Sequence, residues 1–376
     1  SMSFYNGYVS VSTPKSLAKL YRDYIKFPLP EATLESLSNF TLQRKNITVD
    51  AIIDRLLELQ KTFKYIFIDS GGYQSKVGRL HKENYKLHFD IYFKLLEKLP
   101  DNMFIFSLDF PPCMPDKIHS CAIDPKTSGE LTLESYKMLS ELDKNTDRVI
   151  VVTHFASSNI LDAWYKVFNT NAEKFKKFKY FATGLLNANY TNPKVISYYH
   201  GAKLFLKLNG IIPERFHFLG TATLPLIKPM YEDTNLASKT FDVTIKPFTG
   251  NLSLLKQRSD GLYETYNVSF RSKTKYQIEY YVDLFSEYID KSIMKKINES
   301  FDYHSKTRLN KGNIHYGFIL QLHANLMKGY LLEQNKIYIS PLDLGYNKQK
   351  EEELINSINT LDDFKKIIHY FDQLLN

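Results

Sequence analysis

Tyr65-Ile66-Phe67-Ile68-Asp69-Ser70-Gly71-Gly72-Tyr73-Gln74 is a short apolar run that ends on a carboxylate and then meets two glycines. A run this short, rich in aromatic and β-branched residues and closed by Gly-Gly, reads as a buried strand entering a turn. The segment that follows, Tyr85–Leu99, has helical spacing of its apolar residues. The same unit recurs outward along the chain. Strands are expected at Tyr8–Ser12, Tyr65–Asp69, Met103–Asp109, Arg148–Thr153, Lys179–Thr183, Phe216–Gly220 and Phe241–Ile245. Helices are expected at Val49–Phe63, Tyr85–Leu99, Leu131–Leu142, Ile160–Phe168 and Asn192–Leu208.

Strands that alternate with helices build a parallel sheet. No Gly-rich dinucleotide fingerprint appears, and six or more successive units favour closure. The expected fold is therefore α/β, a (β/α)8 TIM-like barrel over residues 1–260, with a mostly helical C-terminal extension over 261–376. Seven strands are counted; the eighth is sought in Phe40–Val49. The helices of the extension are read at Tyr276–Ser300, Tyr316–Gln334 and Leu361–Leu375, and Lys348–Glu353 reads as a solvated charge cluster.

Barrels carry their chemistry at the C-terminal ends of the strands. Asp69, Asp109, Thr153-His154, Thr183-Gly184 and Gly220 all fall there, whereas Asp242 falls near the start of its apparent strand. Each has an ordinary reading too. Asp69 fits a helix cap, Asp109 a structural carboxylate beside Pro111-Pro112, and His154 a satisfied polar residue at a strand end.

Net charge is +8, which suits a polyanionic partner and equally an AT-rich coding sequence. Cys113 and Cys121 are too few for a secreted disulfide scaffold, so a reducing cytoplasm is expected. Neither a signal-peptide pattern nor a membrane-length apolar run is present. Cys113, His119 and Cys121 in a Pro-rich stretch read better as free thiols than as a metal site.

Asp-Ser-Gly-Gly-aromatic-Gln at 69–74 resembles the signature loop of tRNA-guanine transglycosylases. Other motifs of that family follow in order. The strand Phe104–Asp109 ends on an Asp, and Thr153-His154 stands where the family has a base-contacting Gln. Thr183-Gly184-Leu185 resembles its Gly-Gly-Leu turn, with the first Gly replaced by Thr. His217-Phe218-Leu219-Gly220 resembles its aliphatic strand ending in Gly, and Phe241-Asp242-Val243 its nucleophile dipeptide. The resemblance spans roughly residues 60 to 250. It implies base exchange on a nucleic acid, with Asp242 as nucleophile and Asp69 as general acid/base. It further implies that Ser70, Gly71, Gly72, Gln74, Asp109, His154, Thr183, Gly184 and Gly220 surround the base. Lys76, Arg79, Lys246, Arg258 and Arg271 are candidates for phosphate contact.

The family also carries a structural zinc on three cysteines and a histidine. No cysteine follows Cys121, Glu264–Arg271 stands where the cluster would lie, and His323 is alone on the corresponding helix, so no metal and no cofactor are expected. This departure tilts the expectation toward the related DNA-guanine transglycosylases of bacteria and phages, which exchange guanine for a 7-deazaguanine such as preQ0 or preQ1. A zinc-less enzyme acting on tRNA is the alternative. A non-catalytic nucleic-acid-binding subunit and a sugar-cleaving barrel hydrolase rank lower. The family's dimers form through the zinc region, so a homodimer is only a possibility here.

Overall fold

The computed structural model describes residues 4–11, 13–41, 46–71, 84–110, 125–154, 165–184, 192–245, 251–269, 275–302, 311–340, 356–360 and 363. Eight strands close into a barrel in chain order: β1 (Gly7–Val11), β2 (Ala32–Ser36), β3 (Tyr65–Asp69), β4 (Met103–Phe106), β5 (Val149–His154), β6 (Tyr180–Gly184), β7 (Arg215–Leu219) and β8 (Ser238–Asp242). Every neighbouring pair is parallel, and β8 closes on β1 through Val9 opposite Asp242. The connections carry α1 (Lys15–Tyr24), α2 (Ser38–Thr41), α3 (Val49–Gln60), α4 (Tyr85–Glu97), α5 (Pro125–Ser140), a helical stretch at 165–170, α6 (Asn192–Leu208) and α7 (Leu224–Glu232). Thr48 opens α3 as its cap, its hydroxyl accepting from the Ala51 amide at 3.1 Å.

Side chains alternate across each strand. One set fills the barrel: Val9, Ala32, Leu34, Tyr65, Phe67, Phe104, Phe106, Ile150, Val152, Tyr180 and Ala182 form an inner apolar cluster. The other set, including Tyr8, Ile66, Ile68, Ile105, Val151, Phe181, Phe216, Phe218 and Phe241, packs outward against the helices. Both sets exclude water, which explains why most of these strands read as continuous apolar runs.

Three strands differ from the sequence expectation by more than one residue. β4 stops at Phe106, three residues short of the expected Met103–Asp109, so Asp109 lies beyond the strand and not at its end. The second strand is Ala32–Ser36, not part of Phe40–Val49, where the described residues are helical at Ser38–Thr41 and from Val49 onward. Its composition, Ala-Thr-Leu-Glu-Ser, disguises it. Thr33 is buried because its hydroxyl donates to the Ser10 carbonyl at 3.0 Å, and Ser36 because it pairs with Ser38 at 2.6 Å. The last strand is Ser238–Asp242, three residues earlier than the apolar run Phe241–Ile245 suggests. Its early residues are polar yet buried, with Ser238 donating to the Tyr5 carbonyl and Thr240 joined to Tyr180. The shift moves Asp242 from the start of a strand to its end.

Beyond the barrel lies an antiparallel hairpin, β9 (Asn251–Gln257) and β10 (Tyr263–Ser269), which crosses the boundary drawn at residue 260. It is followed by α8 (Lys275–Leu284), α9 (Ile293–Asp302) and α10 (Lys311–Glu333). The helix expected over Tyr276–Ser300 is broken between α8 and α9. There Ile289 bridges Ile25, and the Asp290 amide donates to the Tyr24 carbonyl at 2.8 Å. Helix α10 packs on β1 and β9, and its apolar residues belong to the same cluster as the outer barrel face. No described helix is long and apolar enough to cross a membrane.

Candidate active site

Asp69 ends β3 and Asp242 ends β8, each two residues beyond an interior position, Phe67 and Thr240 respectively. The pleat therefore turns both carboxyls into the barrel mouth. Their surroundings are unlike. Desolvation pushes the Asp69 carboxyl up to about 7, and the negative charges of Asp242 and then Asp109 add to the rise. The backbone amides of Gly71 and Ser70 oppose it only in part. Asp242 is buried and surrounded by donors. Its Oδ2 lies 2.6 Å from His217 Nε2, and its Oδ1 accepts the Gly220 amide at 3.2 Å. Gly220 has φ 75°, a conformation that aims its N–H back at Asp242 and that side chains other than glycine's resist.

Behind Asp242 the polar contacts continue into the barrel. His217 Nδ1 lies 2.7 Å from Thr240 Oγ1, which lies 2.5 Å from the Tyr180 hydroxyl. His217 is fully buried, its ring 5.0 Å from that of Phe106 and 5.7 Å from that of Phe67.

Asp109 follows β4 and is buried. Three hydroxyls on α5, at helical spacing, hold its segment. Ser135 donates to the Leu108 carbonyl at 2.8 Å, Thr132 accepts the Phe110 amide at 3.2 Å, and Ser128 donates to the Phe110 carbonyl. The Asp109 charge reaches Tyr92 and Tyr136 as well as Asp69, raising both phenols beyond what burial does.

The turn after Asp69 is braced from α4. His88 Nε2 lies 2.5 Å from the Ser70 carbonyl, and its Nδ1 lies 3.0 Å from the Thr41 hydroxyl. Burial holds this imidazole down to about 4, so it is neutral, with Nε2–H donating to Ser70 and the Thr41 hydroxyl donating to Nδ1. Gly71 has φ 91°, and a Cβ there would stand 3.2 Å from the His88 ring and 3.3 Å from Ser38 Cβ. Glycine is required twice over, by conformation and by space.

The structure thus brings Asp69, Ser70, Gly71, Asp109, Gly220 and Asp242 to one end of the barrel. Gly184 ends β6 in register with Leu219 and His154. Thr183 shares the outer phase of its strand with Phe181, so its side chain faces the helices and not the mouth. Gly72, Gln74, Lys76, Arg79, Cys113, His119, Cys121, Lys246 and Arg271 lie outside the described residues, as does the His154 side chain.

Arg258, read as a phosphate contact, is instead engaged within the hairpin. It pairs with Asp260 at 3.2 Å and Glu264 at 3.8 Å and lies 3.4 Å over the Tyr338 ring. His323 is buried among Phe27, Tyr281, Phe285 and Tyr288, 2.7 Å from the Tyr281 hydroxyl, and burial holds it down to about 3. Among the described residues no group of three or more His, Cys, Asp or Glu could hold a metal ion.

Sequence reasoning missed His88, Tyr180 and Thr240, and it named His217 only within a strand motif, with no role. A signal was available at His217, a titratable residue in an otherwise apolar strand.

Fold and site together define an α/β protein of the closed (β/α)8 class with acidic residues gathered at the C-terminal mouth. No protein-family model matches the chain, and no curated protein matches it.

Proposed function

We propose that this protein is a base-exchange glycosyltransferase that replaces guanine in DNA with a 7-deazaguanine of the preQ0 or preQ1 type. The observation that carries the reading is the contrast between two carboxyls at one barrel mouth. One is held among hydrogen-bond donors, and the other is pushed up to about 7. Such divergence is how one site obtains a nucleophile and a proton carrier from the same side-chain type.

In this mechanism an Asp242 oxygen attacks the anomeric carbon of the target nucleotide. The C1′–N9 bond breaks, and guanine leaves with a proton from Asp69. The product is a covalent Asp242–sugar ester and an Asp69 carboxylate. The incoming 7-deazaguanine then returns a proton to Asp69 while its N9 displaces Asp242 from the sugar. Two inversions retain configuration, and no further reactant is consumed. A carboxyl near 7 suits both proton transfers at neutral pH. Asp109 accepts from the N1–H and exocyclic amine of the guanine edge, and the backbone at Ser70–Gly71 and Gly184 lets the flat base approach closely. The target base must be unstacked to enter such a mouth. A polymer of this kind is met in the cytoplasm of a bacterial or phage-infected cell.

The test is mass spectrometry of nucleosides from DNA incubated with the protein and preQ0 or preQ1, with tRNA in parallel. The deazaguanine nucleoside in DNA, lost with Asp242→Asn, is the expected result. Incorporation into tRNA alone moves the assignment to the zinc-less tRNA reading. Base release with no incorporation overturns exchange in favour of hydrolysis.

A further inference from the structure

We propose that His217 is a positioning residue for the base-exchange reaction, fixing which oxygen of Asp242 attacks the sugar and stabilising the charge that returns to Asp242 when the ester opens. This rests on the function proposed above. The argument begins with donors and acceptors. His217 is fully buried between Phe67 and Phe106, and each of its ring nitrogens has one polar neighbour. The neighbour of Nε2 is a carboxylate oxygen, which only accepts. Nε2 must therefore carry the proton. In the proposed arrangement Nδ1 accepts, and the Thr240 hydroxyl donates to it at 2.7 Å. Having spent its one proton, Thr240 Oγ1 accepts from the Tyr180 hydroxyl at 2.5 Å. The chain Tyr180 to Thr240 to His217 to Asp242 thus runs in one direction and ends with a donor facing Oδ2.

The consequence for Asp242 is asymmetry. Oδ2 takes a 2.6 Å bond from a ring locked inside the barrel, while Oδ1 takes one 3.2 Å bond from the Gly220 amide at the rim. Oδ1 is the less encumbered oxygen and the one that forms the bond to the sugar. Oδ2 becomes the carbonyl oxygen of the ester, still facing the Nε2 proton. When the incoming base displaces Asp242, negative charge develops over the carboxylate, and the preoriented donor is in place to receive it. No proton leaves His217 at any step.

A donor of this kind affects the two half-reactions in opposite ways. It makes Asp242 a slightly poorer nucleophile and a better leaving group. Its loss therefore stabilises the covalent adduct relative to release. With His217→Leu, turnover of the full exchange should fall about 10²-fold, the magnitude seen when one preorganised donor is removed. The steady-state fraction of protein covalently bound to a guanine-containing oligonucleotide, read by intact mass after acid quench, should rise. His217→Gln, whose side-chain amide can donate to Oδ2, should recover much of the turnover and lower the adduct fraction again. Adduct and turnover falling together in His217→Leu, with Gln no better, would reduce His217 to a packing residue and overturn the proposal.

Imidazole 15N spectra of the substrate-free protein give a second arm. A ring that carries a proton on Nε2 supports the proposal, and a ring whose one proton is on Nδ1 overturns it. Because that arm needs no turnover, a wild-type protein inactive on both DNA and tRNA would sink the function while leaving the hydrogen-bond chain to be judged by the spectra.

Discussion

The Gly220 amide donates to Asp242 Oδ1 at 3.2 Å from a backbone with φ 75°, so the end of β7 orients the carboxylate at the end of β8. Gly220→Ala isolates this relationship, because an added Cβ would meet nothing within 4 Å and the only cost is conformational. Stability should fall by about 1–2 kcal/mol in urea denaturation. Exchange activity should also fall, because relieving that strain rotates the amide away from Asp242.

Asp69 makes a prediction about pH. Its folded carboxyl lies near 7, well above the ordinary carboxylate value, so the folded state holds a proton that the unfolded state has released between about pH 4 and pH 7. Stability contributed at this position is thus present at low pH and lost as pH rises toward 7, by at most about 4 kcal/mol and by less given its partial solvent access. Asp69→Asn should be more stable than wild type above pH 7, with the gap closing toward pH 4 in chemical denaturation. In kinetics, covalent capture should weaken above pH 7, where Asp69 lacks its proton. Release by the incoming base should weaken below it.

Two buried imidazoles act with the opposite sign. His88 is held down to about 4 and His323 to about 3, both by burial, so each binds a proton more readily unfolded than folded. Their contribution is intact above about pH 6.5 and declines as pH falls through the range down to about 4 for His88 and about 3 for His323. His323→Leu should flatten the acid limb of a stability-against-pH curve; an unchanged limb would contradict the buried neutral state.

Thr240 tests the interior hydrogen bonds. Thr240→Val conserves shape but leaves the Tyr180 hydroxyl and His217 Nδ1 without their partner inside the barrel. The cost should be about 1–3 kcal/mol, the usual penalty for a stranded buried polar group. A change within about 0.5 kcal/mol in the denaturation midpoint would show that these groups find other partners.

The interior hydroxyls and His217 also explain which parts of the molecule were legible in advance. Strands β3, β4, β5, β6 and β7 announce themselves because both of their faces are buried, so runs such as Tyr65–Ile68 and Val149–Val152 are apolar throughout. β2 and β8 do not, because Thr33, Ser36, Ser238 and Thr240 are buried by hydrogen bonds rather than by hydrophobicity. No local pattern distinguishes a hydroxyl satisfied inside a barrel from one facing water. Misplacing β8 in turn left Asp242 at the wrong end of its strand.

Sequence alone determined that this chain alternates strands with helices, that carboxylates follow several of the strands, that Gly71 stands in a turn and that Gly220 closes a strand. These are local properties, set by side-chain volume, polarity and backbone freedom within a few residues. Tertiary structure alone decided that Asp69 and Asp242 share one mouth, that one is desolvated beside like charge while the other is met by His217 and the Gly220 amide, and that Thr183 turns away. Those outcomes depend on barrel closure and strand register, which set Asp69 of β3 and Asp242 of β8 at one mouth and place His217 and Gly220 of the neighbouring strand against Asp242, and electrostatic environment follows from that proximity rather than from any single stretch of chain.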